Sequence, residues 1–191
     1  NNIVYSEYFE VEILYKDPTP TFNDSKLEDY DLIIICPDTF SENLDPLVDH
    51  KNSFGVSTKL VTLQEIYSKF SGRDNCEKIK FFIKDAIDNF NTKYVLLIGD
   101  ITKLPIRTTY ASWWERDILS DLYYGDIYDS EYEFCSWDGN ENNKFGETLF
   151  LNNRIIDLDE VDLFADVHIG RLACSNKNEV NVVVNKIINY E

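Results

Sequence analysis

The sequence contains no methionine, only two histidines and few basic residues. Its 191 residues include 18 Lys and Arg against 35 Asp and Glu, which gives a formal net charge of -17 at pH 7. A chain with this charge repels phosphate groups, so nucleic acid and anionic membranes are unfavourable partners. No run approaches the roughly 18 apolar residues of a membrane span. Because methionine is missing, we expect a processed chain, and the lack of a signal peptide does not indicate where the parent protein resides.

Paired cysteines and glycine-rich phosphate loops are also missing. The four cysteines are Cys36, Cys76, Cys135 and Cys174, and none forms a CxxC pair, which argues against a zinc knuckle or a thioredoxin-like motif. Cys36 ends an apolar run and is predicted to be a core residue. The other three are either free thiols or include one disulfide. Neither GxGxxG nor GxxxxGK[ST] occurs, so a nucleotide-binding function is weakly supported.

The composition that is present indicates a folded domain with an extension before it. Hydrophobic residues make up 43% of the chain and aromatic residues 14%, which favours a packed core over disorder. Residues 1–29 are predicted to form an N-terminal extension, an edge strand or hairpin followed by a Pro-containing linker, because Val4, Phe9, Val11 and Ile13 alternate loosely with polar residues. The compact domain, residues 30–191, begins at Tyr30.

Short apolar runs alternate with amphipathic segments over this domain. The pattern predicts strands at residues 31–36, 56–61, 93–98 and 167–169, and helices at 43–53, 63–70, 75–90 and from Asn176 onward, where Asn176 and Glu179 suggest a capping box. Continuous apolar strands that alternate with helices favour an α/β fold with a mainly parallel sheet covered by helices on both faces. Ligands of such sheets lie beyond the carboxyl ends of the strands.

A segment of some fifty residues, about 112–166, interrupts this rhythm. It interleaves acidic and aromatic residues and shows little helical periodicity. A loop of this length inside a compact domain is usually functional, or is held by something other than its own core.

The most informative part of this acidic insertion is a loop that resembles a calcium-binding sequence. Side-chain or carbonyl oxygens are offered at alternating positions, by Asp138, Asn140, Asn142, Lys144 (through its carbonyl) and Glu147. Such oxygens converge on one point in a tight turn, as Ca²⁺ requires. The glycine expected at the sixth position is Asn143, which tolerates left-handed backbone geometry. An ordinary Asn- and Gly-rich turn without an ion is the competing interpretation.

Three further carboxylates are candidates for a second cation site. Asp100, Asp121 and Asp166 are expected near strand ends, where they either complete a metal site or form a solvated acidic rim. Neither interpretation is favoured by their spacing.

Candidates for nucleophilic catalysis are scarce. His50 lies on the polar side of a predicted helix and is expected at the surface. His168 and Cys174 are six residues apart, so a Cys–His dyad is conceivable, since a thiol needs a nearby base. Glycoside hydrolysis requires two acids at a defined spacing, and abundant carboxylates do not establish that spacing.

Several phrases in order resemble the gingipain family of caspase-like cysteine peptidases. They cover residues 30–35 (YDLIII), 48–55 (VDHKNSFG), 94–100 (YVLLIGD) with Leu104-Pro105, 120–125 (SDLYYG), 166–171 (DVHIGR) and 185–191 (NKIINYE). The match therefore spans roughly residues 30–191. The loop at 138–147 also looks like an acidic loop of the family, although Asn143 replaces the expected glycine.

The resemblance implies a four-stranded, mainly parallel sheet in this chain and divalent cations, here Ca²⁺, that stabilise the fold. It places the catalytic histidine and cysteine in a second subdomain of the same polypeptide, beyond Glu191, so that Cys174 and His168 have no catalytic role. It also implies extracellular or cell-surface localisation, and protein or peptide substrates for the complete enzyme. On this basis the chain is an N-terminal peptidase subdomain that is inactive alone. The alternative is a non-enzymatic, calcium-stabilised α/β binding module.

Overall fold

A parallel four-stranded sheet organises the fold. The computed structural model describes residues 28–110, 117–152, 154–159 and 161–191, so the extension predicted for residues 1–29 lies mostly outside the described residues. In chain order the strands are β1 (Leu32–Cys36), β2 (Thr58–Thr62), β3 (Tyr94–Ile98), β4 (Arg107–Thr109), β5 (Ile118–Ser120), β6 (Thr148–Leu151), β7 (Arg154–Asp157) and β8 (His168–Leu172). The helices are α1 (Ser41–Ser53), α2 (Leu63–Lys69), α3 (Asn75–Phe90), the single turn α4 (Leu122–Gly125) and α5 (Lys177–Tyr190).

The strand order in the main sheet is β2-β1-β3-β8, and every neighbouring pair is parallel. Leu32 lies beside Thr58 on one side and Tyr94 on the other, and Tyr94 in turn lies beside His168. The α/β class and the four-stranded parallel sheet expected from the resemblance are therefore confirmed.

Each face of the sheet carries its own apolar core. Ile33 and Ile35 point towards α2, α3 and the acidic insertion. Leu32, Ile34 and Cys36 point towards α1 and α5. All five residues of β1 are buried, which explains why this central strand reads as a continuous apolar run.

The helices begin where capping side chains are available. The Asp74 side chain accepts the Glu77 N–H at 2.9 Å and starts α3. Asn176 accepts the Glu179 N–H at 3.1 Å, as expected. In a capping box the Glu179 carboxylate would accept the Asn176 N–H. It accepts the Ser175 N–H instead, at 2.7 Å.

The acidic insertion is more ordered than its sequence suggests. Two antiparallel pairs, β4–β5 and β6–β7, and the turn α4 lie in or beside it. Tyr123, Tyr124, Ile127, Trp137 and Phe145 from this segment are buried in the same core as Ile33 and Ile35. The insertion is therefore part of the core on this face of the sheet. It is held in place by the packing of its aromatic residues and contains little helix.

The cysteines lie inside the two cores. Cys36, Cys76, Cys135 and Cys174 are all buried and free, which answers the question left open by their spacing in favour of free thiols. Among the residues that the structure describes, no helix is long and apolar enough to cross a membrane.

Candidate functional site

The loop from Asp138 to Glu147 lies at the surface of the insertion, with its first residue buried. Asp138 is 2% exposed and follows Trp137, whose ring packs edge-on against Tyr123 at 5.8 Å. The indole N–H of Trp137 donates to Asp126 Oδ2 at 3.0 Å. The loop is thus anchored at its first residues by the core of the domain.

Side-chain oxygens in this loop accept hydrogen bonds from the loop's own backbone. The Asn142 N–H donates to Asp138 Oδ1 at 2.9 Å and to Asn140 Oδ1 at 3.1 Å, so both oxygens point towards the same peptide group. The Lys144 N–H donates to Asn142 Oδ1 at 2.8 Å. Asn143 has φ = +63°, the left-handed conformation that its sixth position requires.

Glu147 and Asp159 are the carboxylates at the end of the loop. The Asn142 amide donates to Glu147 at 2.7 Å and the Lys144 ammonium at 3.1 Å. The bond from Asn142 is the main cause that lowers the pKa of Glu147. Asp159 Oδ2 accepts the Glu147 N–H at 2.6 Å, whereas its buried Oδ1 has no hydrogen-bond partner among the described residues. Burial raises the pKa of Asp159. Asp159 is twelve residues from Glu147 in the chain, and no motif in the sequence assigns it to this loop.

Protein cations already occupy the carboxylates of the loop. Arg73 donates to Asp138, and its Nε donates to Glu77 at 2.7 Å. Lys144 bonds Glu147. Within the described part of the chain, no three His, Cys, Asp or Glu side chains are arranged to hold a metal ion. In the arrangement described, Arg73 and Lys144 therefore neutralise the carboxylates of Asp138 and Glu147.

An arginine pair joins the loop to the start of α3. Arg107 is 6% exposed and donates to Asp74 at 2.7 and 2.9 Å. Its guanidinium lies 3.7 Å from the centre of the Phe145 ring, and that of Arg73 lies 5.1 Å from the same centre. Since Asp74 caps α3, this pair links the insertion to the start of that helix. No pattern in the sequence identifies these two arginines.

The structure does not bring Asp100, Asp121 and Asp166 together. Asp100 follows β3 and accepts from Thr102 N–H at 2.9 Å, beyond the carboxyl end of that strand. Asp166 precedes β8, which runs parallel to β3, so it lies at the opposite end of the sheet. The register places the two about eight residues apart along the strands, roughly 26 Å. Asp166 accepts from the backbone N–H groups of Ile127 and Tyr128 at 2.7 and 2.9 Å.

Asp121 instead forms an ion pair with Arg171. The Arg171 guanidinium donates to both Asp121 oxygens, at 2.6 and 2.7 Å. It also donates to the carbonyl oxygens of Gly99, Leu104 and Pro105, at 2.9, 3.0 and 3.2 Å. This arginine therefore fixes the segment after β3 onto β8, and Asp121 is its counter-ion, a structural role.

A buried lysine lies beneath the insertion. Lys80 of α3 is fully buried, and its ammonium lies 4.3 Å from the centre of the Tyr123 ring and 5.4 and 5.7 Å from those of Phe134 and Trp137. Neither its ammonium nor Asp126 Oδ1 has a hydrogen-bond partner among the described residues. Burial lowers the pKa of Lys80 to about 8 and raises the pKa of Asp126 to about 6. Their opposite charges partly offset these shifts.

The histidines and thiols do not form a catalytic pair. His168 starts β8 and stacks on Tyr94 at 5.1 Å, whereas Cys174 lies beyond the other end of this strand, in the core against α1 and α5. The strand alone separates their backbones by roughly 15–20 Å. His50 contacts Glu191 at 3.0 Å and Phe54. Burial raises the pKa of every cysteine, that of Cys36 to about 12 and that of Cys135 to about 11, which opposes thiolate formation.

Comparison with known proteins places this architecture in a peptidase family. The model of peptidase family C25 matches residues 25–191. Gingipain R2 of Porphyromonas gingivalis strain W83 is 25% identical over 162 residues, which cover 84% of this chain and 16% of the relative. The chain thus spans about a sixth of the length of that curated relative.

Solved structures agree with the fold. The complex of the pro- and mature domains of Porphyromonas gingivalis RgpB superposes with a TM-score of 0.58 at 24% identity, covering 84% of this chain and 29% of that one. Dimeric latent PorU from the same organism gives a TM-score of 0.61 at 17% identity, covering 86% of this chain and 16% of that one. At these identities the structural matches support the fold.

Proposed function

This chain belongs to peptidase family C25, and on that premise we propose that it is the N-terminal α/β subdomain of a gingipain-like cysteine endopeptidase, inactive by itself. In this proposal the chain supports a catalytic subdomain carried by the same polypeptide. The complete enzyme acts on protein or peptide substrates outside the cell or at its surface.

The observation that carries the proposal is the separation of His168 from Cys174. Both histidines and all four cysteines of the sequence lie among the described residues. His168 and Cys174, the pair closest in sequence, are at opposite ends of β8: His168 is exposed and stacks on Tyr94, whereas Cys174 is buried in the core against α1 and α5. A cysteine peptidase requires a thiolate beside a base, so the chemistry belongs to another part of the enzyme.

Peptide hydrolysis by the 191-residue chain tests this proposal. The chain and its Cys174→Ala variant are assayed against a mixture of fluorogenic peptides with different residues before the cleaved bond. We expect no hydrolysis by either protein. Activity in the chain that disappears in the variant would contradict the proposal. If sequencing downstream of the Glu191 codon reveals a stop codon, with no further apolar strands that carry a His and a Cys, the binding-module alternative is favoured instead.

We also propose that the loop at 138–147 binds calcium. The convergence of the Asp138 and Asn140 side-chain oxygens on the Asn142 N–H supports this proposal, as does Asp159 Oδ1, which has no hydrogen-bond partner among the described residues. Calcium binding then requires Arg73 and Lys144 to leave their carboxylates. Glu147 and the Lys144 carbonyl remain available as oxygen ligands once this happens. The ion would stabilise the insertion and take no part in catalysis.

A further inference from the structure

The hairpin of the acidic insertion carries apolar side chains on its surface. Every residue of β6 and β7 except Thr148 is exposed. Ile155 is 75% exposed, and Leu149, Leu151 and Ile156 are exposed as well. A two-stranded hairpin with water on both faces is marginally stable by itself. Apolar residues at these positions therefore add nothing to the core of this domain.

The register of the hairpin distributes these side chains over both of its faces. Leu149 lies opposite Ile156, and Leu151 lies opposite Arg154. Since successive residues of a strand point to opposite faces, Leu149, Leu151 and Ile156 share one face, and Ile155 lies on the other. The hairpin thus presents apolar side chains in two directions, as a segment that inserts into a partner does.

The segment after the hairpin extends this apolar surface. Leu163 and Phe164 are 63% and 76% exposed. Leu163 has φ = +62°, a left-handed conformation that costs a leucine about 1–2 kcal/mol. The Asp157 side chain accepts the Val161 N–H at 2.8 Å, and Asp157 and Asp162 line the same pocket. The segment therefore begins beside the end of β7.

These exposed apolar residues are here called the apolar arm. Its members are Leu149, Leu151, Ile155, Ile156, Leu158, Leu163 and Phe164. An exposed group of large apolar side chains of this kind, next to polar residues, is typical of an interaction surface.

The charges around the apolar arm decide between two possible partners. Between positions 148 and 166 the sequence has one base, Arg154, among several acids, and Asp157 is exposed. A second copy of the chain would bring these acids together, with a net charge of -17 on each copy, and like charges oppose association. The complementary partner instead has an apolar surface with basic residues around it.

The proposed function supplies such a partner within the same polypeptide. The chain spans 16% of the length of Gingipain R2, so a relative of this kind has ample chain for a further subdomain. A short covalent connection raises the effective concentration of a neighbouring domain to about the millimolar range. A small apolar surface is therefore sufficient to hold a connected subdomain, whereas a free partner requires a larger interface.

We propose that the apolar arm is the surface on which the catalytic subdomain of the same polypeptide docks, through an apolar patch with basic residues around it. This inference rests on the proposed function and specifies where the two subdomains meet.

Thiol labelling of introduced cysteines tests this docking surface. The four native cysteines are buried, so an introduced exposed thiol reacts with a maleimide before they do. Ile155→Cys and Phe164→Cys report on the apolar arm. Phe54→Cys is the matched control, because Phe54 is also an exposed aromatic residue but lies at the end of α1. Peptide mass spectrometry measures the labelling rate of each variant in the 191-residue chain and in the polypeptide encoded by the complete gene.

We expect fast labelling of all three variants in the 191-residue chain. In the complete polypeptide, labelling of Ile155→Cys and Phe164→Cys should be at least about tenfold slower, since docking removes these positions from solvent. The rate of Phe54→Cys should be the same in both proteins. Equal rates in the two proteins at the apolar arm overturn the proposal, and so does equal slowing at Phe54→Cys. Slow labelling of the arm in the 191-residue chain that depends on protein concentration assigns the arm to a second copy instead.

Peptide hydrolysis by the complete polypeptide separates this inference from the proposed function. Hydrolysis together with unprotected thiols at the apolar arm overturns the docking surface and leaves the peptidase function standing. Protected thiols without hydrolysis support the docking surface and contradict the peptidase function. A gene that encodes no further subdomain overturns both.

Discussion

The guanidinium of Arg107 lies 3.7 Å from the centre of the Phe145 ring, while its donors bond Asp74 at the start of α3. Arg73 lies over the same ring at 5.1 Å and also bonds Asp138. The Phe145 ring thus contacts two cations. Arg107 is held by the start of α3, and Arg73 is held by the acidic loop. This contact couples the order of the loop to the core of the domain.

Replacing Phe145 by leucine retains apolar volume and removes the cation–π contacts. We expect the free energy of unfolding to fall by about 2 kcal/mol, from two partly buried cation–π contacts and a small packing loss. Urea denaturation measures this change. Phe54→Leu is the matched control because Phe54 is 65% exposed, and its effect is expected to be within about 0.5 kcal/mol. Equal effects in the two variants would contradict a special role for Phe145.

Arg171 is predicted to be irreplaceable even by lysine. It donates to Asp121 and to three backbone carbonyls, and a lysine ammonium does not reproduce this planar set of donors. We expect Arg171→Lys to lower the free energy of unfolding by about 2–4 kcal/mol, since buried acceptors lose their partner. Lys93, whose ion pair with Asp31 is exposed, provides the control, and Lys93→Met should leave the urea midpoint unchanged.

The buried pair of Lys80 and Asp126 is expected to behave as a unit. Lys80→Met leaves the Asp126 carboxylate buried without its countercharge, so we expect a loss of about 3 kcal/mol in the free energy of unfolding. The double variant Lys80→Met/Asp126→Asn removes both charges and should cost less than the single one. A double-mutant cycle measured by urea denaturation gives the coupling energy. Additive effects would show that the two charges do not interact.

The pH dependence of stability follows from the low pKa of Lys80. Its pKa falls from 10.5 to about 8 in the folded state, so between these values the unfolded chain binds more protons and the fold gains stability as pH rises. The gain is about 1.4 kcal/mol for each pKa unit. Asp126, Asp166, Cys135 and Arg107 also act on this ammonium.

The difference in unfolding free energy between the wild type and Lys80→Met reports this effect above pH 8. It should shift in favour of the wild type from about pH 8 to 10.5. A flat difference over the whole range would mean that Lys80 titrates near its ordinary pKa.

Calcium binding predicts a calcium-dependent melting temperature. Adding millimolar calcium should stabilise the folded chain by RT ln(1 + [L]/Kd), and Asp138→Asn should abolish most of this rise. Asp100→Asn provides the control, because Asp100 lies outside the loop and bonds Thr102. If the melting temperature of the wild type does not change with calcium, the loop is an ion-free turn held by Arg73 and Lys144.

The sequence by itself determined the sheet and its helices. Apolar runs such as residues 31–36 and the stripe on α3 are local patterns, since burial on two faces or on one stripe dictates which residue types occur. The order of these elements was sufficient for a parallel α/β fold and a family resemblance. Strand ends were less exact. β8 extends to Leu172, beyond the predicted residues 167–169, because pairing with β3 and the bonds of Arg171 are contacts between distant residues.

Only the tertiary structure decided what the charged residues do. Sequence spacing placed Asp138, Asn140 and Asn142 in one loop, where local geometry turns their oxygens towards backbone N–H groups of the loop. It could not show that Arg73 bonds Asp138, that Asp121 pairs with Arg171, or that Asp100 and Asp166 lie at opposite ends of the sheet. Each of these relationships joins residues far apart in the chain, and a carboxylate looks the same in sequence whether an arginine, a backbone N–H or an ion satisfies it.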